Sequence, residues 1–286
     1  MKKILLTGTT GFLGSEFISY ILKNPNYEIT EIVRSKKKFK KKRYKRIVFK
    51  NYKKLDKDLE DKKFDIFINF ATFYKNNHTK DDILTMNNAN ILFPNFILEK
   101  IIKNLKKFIT FGSMMEYSGQ SFFKPKNYYS STKKAFESIL QFYKLNFEKC
   151  KFYNIKLYET FGINDNRNKI LPTIIKAYKK NKSVRIINKN LKLNIILSDE
   201  LNSFIEKLIS KNLRNSNYIL QNKKNTHIFD LIKKANITNN RKIKYKLYKK
   251  KIINKFSDNV YDAKTIKINS KIEKYFLKVI NENNKN

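Results

Sequence analysis

The feature that most constrains this chain is a glycine-rich stretch near its start, residues 3–14, with the sequence Lys-Ile-Leu-Leu-Thr-Gly-Thr-Thr-Gly-Phe-Leu-Gly. The apolar run Ile4 to Leu6 is typical of a strand that is buried on both faces. Three glycines at intervals of three follow, and residues 15–23 then have the apolar spacing of a helix. A strand, a glycine turn and a helix in this order form a phosphate cradle, because the free amides at the helix start face the anion. The stretch therefore predicts nucleotide binding, with a purely structural turn as the alternative.

The three glycines have separate predicted roles. Gly8 permits the tight turn, Gly11 lets a pyrophosphate approach the backbone, and Gly14 lets the helix lie close to the strand. We also expect cofactor contacts from three other residues of the turn, namely Thr10, Phe12 and Leu13.

The end of the second predicted strand, 27–33, indicates which dinucleotide binds. Arg34 lies twenty residues after Gly14, where an NAD site usually has Asp or Glu for the ribose 2′-hydroxyl. A guanidinium suits a 2′-phosphate and cannot accept a hydrogen bond from a hydroxyl. We therefore expect Arg34 and the adjacent Ser35 to favour NADP(H) over NAD(H). A solvated basic loop without a ligand is the alternative.

Length and composition limit the class of protein. A chain of 286 residues can bury a good core as one large domain or two small ones. The one cysteine, Cys150, excludes a disulfide framework and fits the reducing cytoplasm, which is the predicted location. The apolar runs are too short to span a bilayer, and no signal-peptide pattern opens the chain. The two histidines have no metal-ligand neighbours, so no metal site is expected.

A formal charge of +39 raises the question of an anionic partner. The basic run at 36–46 is where nucleic acid or a membrane surface would bind. Lysine, asparagine and isoleucine are abundant from end to end, however, which is typical of drift toward A/T-rich codons. We therefore expect no nucleic-acid partner, and a partner for the run at 36–46 stays open.

Strands and helices alternate along the chain, which predicts an α/β fold with a parallel sheet. After the second strand, further strands are predicted at 46–49, 65–71, 107–111 and 153–158. Long helices are predicted at 81–104, with a possible kink at Pro94, and at 127–150. Beyond Gly162 the pattern loosens, with helices near 201–212 and 226–235.

The chemistry is predicted on the fifth strand and the helix after it. Tyr129 and Lys133 stand four residues apart and so share one helix face. The ammonium should lower the pKa of Tyr129, so that the phenol can exchange a proton with a carbinol oxygen near neutral pH. Ser113, at the carboxyl end of the strand, is placed to hydrogen-bond the same oxygen. A Tyr-x-x-x-Lys pair is common by chance, and it gains weight here from Ser113 and the glycine turn.

Together these motifs resemble the extended short-chain dehydrogenase/reductases, specifically the NAD(P)-dependent nucleotide-sugar epimerase/dehydratase family. The resemblance runs from residue 3 to about residue 235 and includes the glycine turn and the catalytic set of Ser113, Tyr129 and Lys133. The other matching segments are the strand at 65–71, Asn90, Lys156 to Gly162, Asp165-Asn-Arg167 and Lys192. At Lys156 and Lys192 a lysine stands where the family has an arginine at a nucleotide contact.

The resemblance implies a Rossmann-type, doubly wound parallel sheet with a smaller C-terminal substrate-binding subdomain. Residues 1–160 would form the NADP-binding domain, segments around 184–212 would return to it, and 161–286 would be mainly the subdomain. It also implies a homodimer paired through the two long helices. The cofactor contacts that it adds are Ala71, Asn90, Tyr129 and Lys133. The substrate contacts that it implies are Ser113, Met114 and Lys192.

Departures from the family pattern narrow the implied reaction. The 4,6-dehydratases have an acidic pair where this chain has Met114 and Met115, and Glu116 should point to the other face. The related 3,5-epimerising reductases need a Cys and a His near the serine, and neither is present. The resemblance therefore implies an NADPH-dependent reductase of a nucleotide-activated 4-keto-6-deoxysugar, similar to the CDP-abequose or CDP-paratose synthases of surface-polysaccharide biosynthesis.

Two alternatives remain at this point. A nucleotide-sugar C4 epimerase would use the same three catalytic residues. A non-catalytic NADP-binding or RNA-binding relative belongs to another class. The intact Ser-Tyr-Lys set argues against both members of that class, whereas the basic run at 36–46 favours RNA binding.

Overall fold

The computed structural model describes residues 1–34, 43–214, 216–248, 260 and 262–282. Ser35 and residues 36–42 of the basic run lie outside these ranges, so the predictions made for them are not addressed by the structure. In the ranges that are described, no helix is both long and apolar enough to cross a membrane.

The strands and helices follow each other in the predicted alternation. The strands are β1 (Lys2–Thr7), β2 (Tyr27–Val33), β3 (Tyr44–Val48), β4 (Ile66–Asn69), β5 (Lys107–Ser113), β6 (Lys151–Leu157), β7 (Glu159–Phe161), β8 (Val184–Ile186), β9 (Lys192–Leu193), β10 (Ile195–Leu197), β11 (Ser216–Asn222), β12 (Thr226–His227), β13 (Tyr245–Leu247) and β14 (Ala263–Ile268). The α-helices are α1 (Phe12–Ile21), α2 (Tyr52–Leu59), α3 (Lys80–Asn87), α4 (Phe93–Ile101), α5 (Tyr128–Asn146), α6 (Ile170–Lys179), α7 (Ser198–Ser210), α8 (Ile228–Thr238) and α9 (Ile272–Glu282).

The main sheet has eight strands in the order β14-β11-β6-β5-β4-β1-β2-β3. Every neighbouring pair in it is parallel. The chain moves outward from β1 in both directions, so the carboxyl ends of β1 and β4 meet where the strand order reverses, with Thr7 opposite Asn69. Ligands bind at such a point in open α/β sheets. The predicted doubly wound α/β fold is confirmed.

Helices cover both faces of this sheet because its buried strands alternate their side chains between the two. Ile4 and Leu6 point to the face that carries α1 and α7, where Phe17 and Leu201 share their core. Leu5 points to the opposite face, which is covered by α2, α4 and α5.

A second core lies under the C-terminal helices α6, α8 and α9. It includes Phe161, Ile174, Ile232 and Phe276. Val184 and Ile186 of β8 also belong to this core, so the return to the main sheet begins later than residue 184. Helix α7 and strands β11 and β14 return to the main sheet. The predicted domain boundary near residue 160 stays a prediction.

The two long predicted helices are present with altered ends. The first is α3 and α4 joined by a π-helical turn, Asn88–Leu92, which directly precedes the segment that contains Pro94. A wider turn at this place accommodates the proline, because proline has no N–H for the helical ladder. The second, α5, is capped by the Asn127 side chain and ends at Asn146, four residues before the predicted end.

Candidate active site

The glycine turn is held by close backbone approach. Gly8 has a φ of +69°, and a Cβ there would lie 2.3 Å from the backbone nitrogen of Ala71. A Cβ on Gly14 would lie 2.4 Å from the carbonyl oxygen of Gly8. A Cβ on Gly11 would have more room, because its nearest atom would be the carbonyl oxygen of Gly8 at 3.3 Å. Two of the glycines are therefore required by packing, and Ala71 lies against the turn as the cofactor prediction needs.

The start of α1 has the properties of an anion site. The helix begins at Phe12 after Gly11, no side chain caps it, and its first turn has no acidic residue. Its first N–H groups therefore have no intrahelical acceptor and carry the positive end of the helix dipole. Thr10 and Gly11 are exposed there, and Leu13 is half-buried. The turn thus fits the pyrophosphate of a dinucleotide.

Sequence reasoning missed a buried acid next to this turn. Glu31 on β2 is 2 % exposed, and its Oε2 accepts a hydrogen bond from Thr9 Oγ1 at 2.5 Å. Its Oε1 is paired with Arg46 Nε on β3. Both carboxylate oxygens are therefore engaged by protein groups, and Arg34 is the exposed residue at the end of β2. The sequence signal that could have revealed Glu31 is its place in the second strand, close to the position where NAD sites have an acidic residue.

The three predicted catalytic residues meet in one cavity of about 470 Å³ at the carboxyl ends of the central strands. Ser113, Tyr129 and Lys133 line it together, with Leu13 of the glycine turn and Met114. Lys192 is exposed on β9, and the residues after it, Leu193 and Asn194, also line the cavity. The predicted substrate residues therefore lie in or beside the same cavity.

Ser113 is the last residue of β5 and is 8 % exposed. Its Oγ accepts a hydrogen bond from the backbone N–H of Met115 at 3.1 Å. Because the oxygen acts as an acceptor there, the hydroxyl proton remains to be donated to an oxygen in the cavity.

Tyr129 and Lys133 lie one turn apart in the first half of α5. Tyr129 is half-buried, and the ring of Tyr74 packs edge-on against it at 4.9 Å between ring centres. Lys133 Nζ lies 5.7 Å from the centre of the Tyr129 ring. The pair therefore faces the cavity together, as the spacing predicts.

The predicted lowering of the pKa of Tyr129 is wrong. Burial raises the pKa of Tyr129 well above its usual range, and the negative charge of Glu116 raises it further. Burial also lowers the pKa of Lys133 to about 8. The sequence argument counted the charge of the ammonium and not the desolvation of both groups, which is the larger effect here.

Asn90 makes four hydrogen bonds within the protein, and its predicted cofactor contact stays a prediction. It is 1 % exposed in the π-helical turn, and its Oδ1 accepts from Phe73 N at 2.8 Å and from Thr72 Oγ1 at 2.9 Å. Its Nδ2 donates to Phe73 O at 3.1 Å and to Thr132 Oγ1 at 2.9 Å. These four bonds use the full capacity of the amide. Asn90 therefore ties the loop after β4 to α5 and positions cavity residues.

Lys156 contradicts the expected nucleotide contact. Its side chain is fully buried, and its Nζ lies 2.8 Å from Glu116 Oε2 and 2.5 Å from Glu137 Oε2. A lysine held in this way is unavailable to a ligand in the cavity. Glu116 points away from the cavity lining, as predicted. The sequence signal for the buried pairing was a lysine between two apolar residues, Ile155 and Leu157, near the end of β6.

Arg167 of the Asp165-Asn-Arg167 segment joins the second core to the glycine turn. Its guanidinium contacts Asp165 with two nitrogens, at 2.8 and 2.7 Å, and Nη2 donates to Thr160 O at 2.8 Å. It also lies 4.4 Å from the centre of the Phe12 ring. The Phe12 side chain is therefore engaged by protein, which leaves its backbone amide for the predicted cofactor contact.

Comparisons with known proteins agree with this geometry. Residues 4–194 match the model of the NAD dependent epimerase/dehydratase family. CDP-abequose synthase of Yersinia pseudotuberculosis is 30 % identical over 215 residues, which cover 73 % of each chain. CDP-abequose synthase of Salmonella muenchen is 24 % identical over 225 residues, or 76 % of this chain and 73 % of that one.

Solved structures share the fold. A UDP-N-acetylglucosamine 4-epimerase from Methanobrevibacter ruminantium superposes with a TM-score of 0.78 at 17 % identity, over 98 % of this chain and 97 % of that one. A UDP-glucuronic acid 4-epimerase from Bacillus cereus in complex with NAD has a TM-score of 0.77 at 18 % identity, over 98 % of this chain and 99 % of that one. With a family model that matches most of the chain and a site of the expected residues, this protein belongs to the NAD-dependent epimerase/dehydratase family of extended, NAD(P)-dependent short-chain dehydrogenase/reductases.

Proposed function

We propose that the chain is an NADPH-dependent reductase of a nucleotide-activated 4-keto-6-deoxysugar. The observation that carries the proposal is the meeting of Ser113, Tyr129 and Lys133 in one cavity beside the glycine turn. The two CDP-abequose synthases among the relatives support the same substrate class.

The side chains have separate tasks in this reaction. NADPH supplies a hydride to the carbonyl carbon when it is bound. The Ser113 hydroxyl donates a hydrogen bond to the carbonyl oxygen, which stabilises the negative charge that develops there. Tyr129 then gives its proton to the same oxygen, and the Lys133 ammonium holds the nicotinamide ribose and stabilises the phenolate that remains.

The protonation state of Tyr129 fits a reductase. A tyrosine phenol is protonated at neutral pH, and burial raises the pKa of Tyr129 further, so the side chain has the form that a proton donor needs. An epimerase of this kind begins by removing a proton from the C4 hydroxyl, which requires the phenolate. The same three residues serve both reactions, so the C4 epimerase is the second candidate.

The surroundings of Arg34 support NADP. A 2′-phosphate needs cationic partners and no free carboxylate close by. Arg34 is exposed at the end of β2, and the nearby Glu31 is engaged by Thr9 and Arg46. Glu31 is therefore not available to accept from a ribose hydroxyl, the contact that usually selects NAD.

The residues after Ser113 argue against a dehydratase. Met114 and Met115 both line the cavity, and neither can act as an acid or a base. Glu116 is turned into the protein interior. Water elimination at C5–C6 of a sugar therefore has no acid–base pair at this place, whereas an apolar methionine is compatible with a deoxygenated carbon.

One assay separates the two candidates. The protein is incubated with NADPH and a panel of CDP-, GDP-, UDP- and dTDP-4-keto-6-deoxysugars, and the loss of NADPH absorbance is followed. A reductase consumes one NADPH for each sugar, whereas an epimerase shows no net consumption and converts a 4-hydroxy sugar with NAD. Epimer formation from UDP-hexoses without NADPH loss on any ketosugar would replace the reductase by the epimerase.

A further inference from the structure

A buried chain of charges starts beside the proposed catalytic serine and leads away from the cavity. Glu116 Oε1 accepts a hydrogen bond from the backbone N–H of Ser113 at 2.7 Å, and Oε2 accepts from Lys156 Nζ at 2.8 Å. Lys156 Nζ also donates to Glu137 Oε2 at 2.5 Å. All three charged side chains are buried. The proposed chemistry uses none of them, and burying charge is costly, so the cluster calls for a separate role.

The packing brings this cluster close to the strand end. A Cβ on Gly112 would lie 2.8 Å from Glu116 Oε1 and 3.1 Å from Lys156 Cγ. Lys156 Nζ lies 5.1 Å from the ring centre of Tyr117, the residue after Glu116. The backbone before Ser113 and the ring of Tyr117 are thus packed against the cluster.

We propose that Glu116 is a positioning residue for Ser113, with Lys156 holding its carboxylate in place. The carboxylate fixes the backbone N–H of Ser113, and Met115 N–H fixes Oγ at 3.1 Å. The hydroxyl proton is then directed to the cavity. The kinetic consequence of this inference rests on the proposed reductase function, and the structural consequence does not.

Glu137 provides a matched control. Like Glu116 it is buried and accepts from Lys156 with one oxygen. Its other oxygen, Oε1, accepts from Asn217 Nδ2 at 2.6 Å and from Lys134 Nζ at 3.3 Å. It makes no hydrogen bond to Ser113 among the bonds of the described residues. In either glutamine variant the amide oxygen stays on Lys156, which makes the shorter charge-assisted contact. The amide nitrogen then faces other donors, Ser113 N–H in E116Q and the Asn217 and Lys134 side chains in E137Q.

Both variants should therefore lose stability, and only E116Q should lose turnover. On a ketosugar that the wild type reduces, we expect E116Q to lower kcat by about ten- to a hundredfold, as for one misplaced buried hydrogen bond. KM and NADPH affinity should stay within about threefold, since a positioning defect acts on the transition state. E137Q should stay within about threefold in all three constants, although its thermal midpoint should fall at least as far as that of E116Q because Glu137 also contacts Lys134.

Hydrogen exchange tests the same inference without turnover. In the peptide that contains Ser113, E116Q should exchange faster than the wild type, and E137Q should match the wild type. If the wild type reduces no ketosugar, the proposed function fails and the exchange comparison still decides the positioning role. If E116Q does not fold, E116M replaces it, because it removes the acceptor and leaves Lys156 and Glu137 as a neutral pair. Equal kcat losses in both variants, or equal exchange of the peptide, would overturn the inference.

Discussion

The glycine turn and the catalytic cavity lie at the same edge of the sheet, but different contacts hold them. The turn depends on close backbone approach, both local, where Gly14 meets Gly8, and remote, where Gly8 at a φ of +69° lies against Ala71. The cavity joins Ser113 and Tyr129 from separate elements, and side-chain bonds over long sequence separations support them. A substitution at Gly8 or Gly14 therefore acts on packing, whereas one in the cavity can remove chemistry and leave the fold intact.

Among substitutions in the cavity, Tyr129→Phe should cause the largest loss of turnover. It keeps the ring and removes the transferable proton, so turnover should fall by about 10²–10⁴-fold with little change in stability or NADPH affinity. Tyr128→Phe is the control, because its hydroxyl donates to Asn87 Oδ1 at 3.0 Å and it does not line the cavity. Steady-state kinetics and NADPH fluorescence titration measure both. Full activity of Tyr129→Phe would show that the catalytic assignment is wrong.

Arg34→Ala tests the proposed preference for NADPH over NADH. The loss of a charge-assisted contact to the 2′-phosphate should weaken NADPH binding by about ten- to a hundredfold and leave NADH binding nearly unchanged. Arg185→Ala removes an exposed arginine on β8, outside the main sheet, and should change neither affinity. Titration of wild type and variants with both cofactors measures this. Equal affinities of the wild type for the two cofactors would contradict the NADP proposal.

Gly8→Ala and Gly11→Ala separate packing from binding within the turn. The first adds a methyl group 2.3 Å from a backbone nitrogen at a positive φ, so the free energy of unfolding should fall by about 1–3 kcal/mol or more. The second meets no atom closer than 3.3 Å and should keep the fold while it weakens NADPH binding. Denaturant unfolding and cofactor titration compare them. Equal stability losses would mean that the turn is not held as described.

The pH dependence of turnover tests the charge of Lys133 in the catalytic cavity. Burial lowers the pKa of Lys133 to about 8, and the negative charge of Glu116 partly offsets this. The protonated lysine is the active form in the proposed mechanism, so kcat should fall as the pH rises through about 8. Lys107, whose pKa burial also lowers to about 8, donates to carbonyls at the end of α7. Lys107→Met should therefore keep the same kcat profile, and a midpoint at the ordinary lysine value would contradict the role of Lys133.

The predicted homodimer is tested by the oligomeric state, and we expect its loss to change the activity least. Phe142 and Leu145 on α5 are 57 % and 78 % exposed, and Leu84 and Leu92 of the α3–α4 segment are also exposed. Apolar side chains that face solvent on these helices favour burial against a second copy. Light scattering at micromolar concentration should give twice the 34.3 kDa chain mass. Leu145→Glu should give the monomer, Ile237→Glu at a similarly exposed site on α8 should not, and a monomeric wild type would contradict the proposal.

Local patterns predicted most elements of the sheet and the cofactor turn. The apolar run at Ile4–Leu6 and the glycine spacing are properties of adjacent residues, and so is the four-residue spacing of Tyr129 and Lys133. Local sequence patterns did not predict strand pairing between segments that are far apart in the chain. Strands β11 and β14 join the main sheet across long insertions, and no periodicity shows which sheet such a strand enters.

The sequence by itself predicted the alternation of strands and helices, the glycine cradle and the Tyr129–Lys133 pair, because each depends on short-range spacing. The doubly wound order was implied by the family resemblance. Only the tertiary structure decided what surrounds these residues. It buries Lys156 between Glu116 and Glu137 and pairs Glu31 with Arg46, although each partner is distant in sequence. It also reverses the expected pKa of Tyr129, because desolvation is set by everything that packs around a side chain and not by its neighbour four residues away.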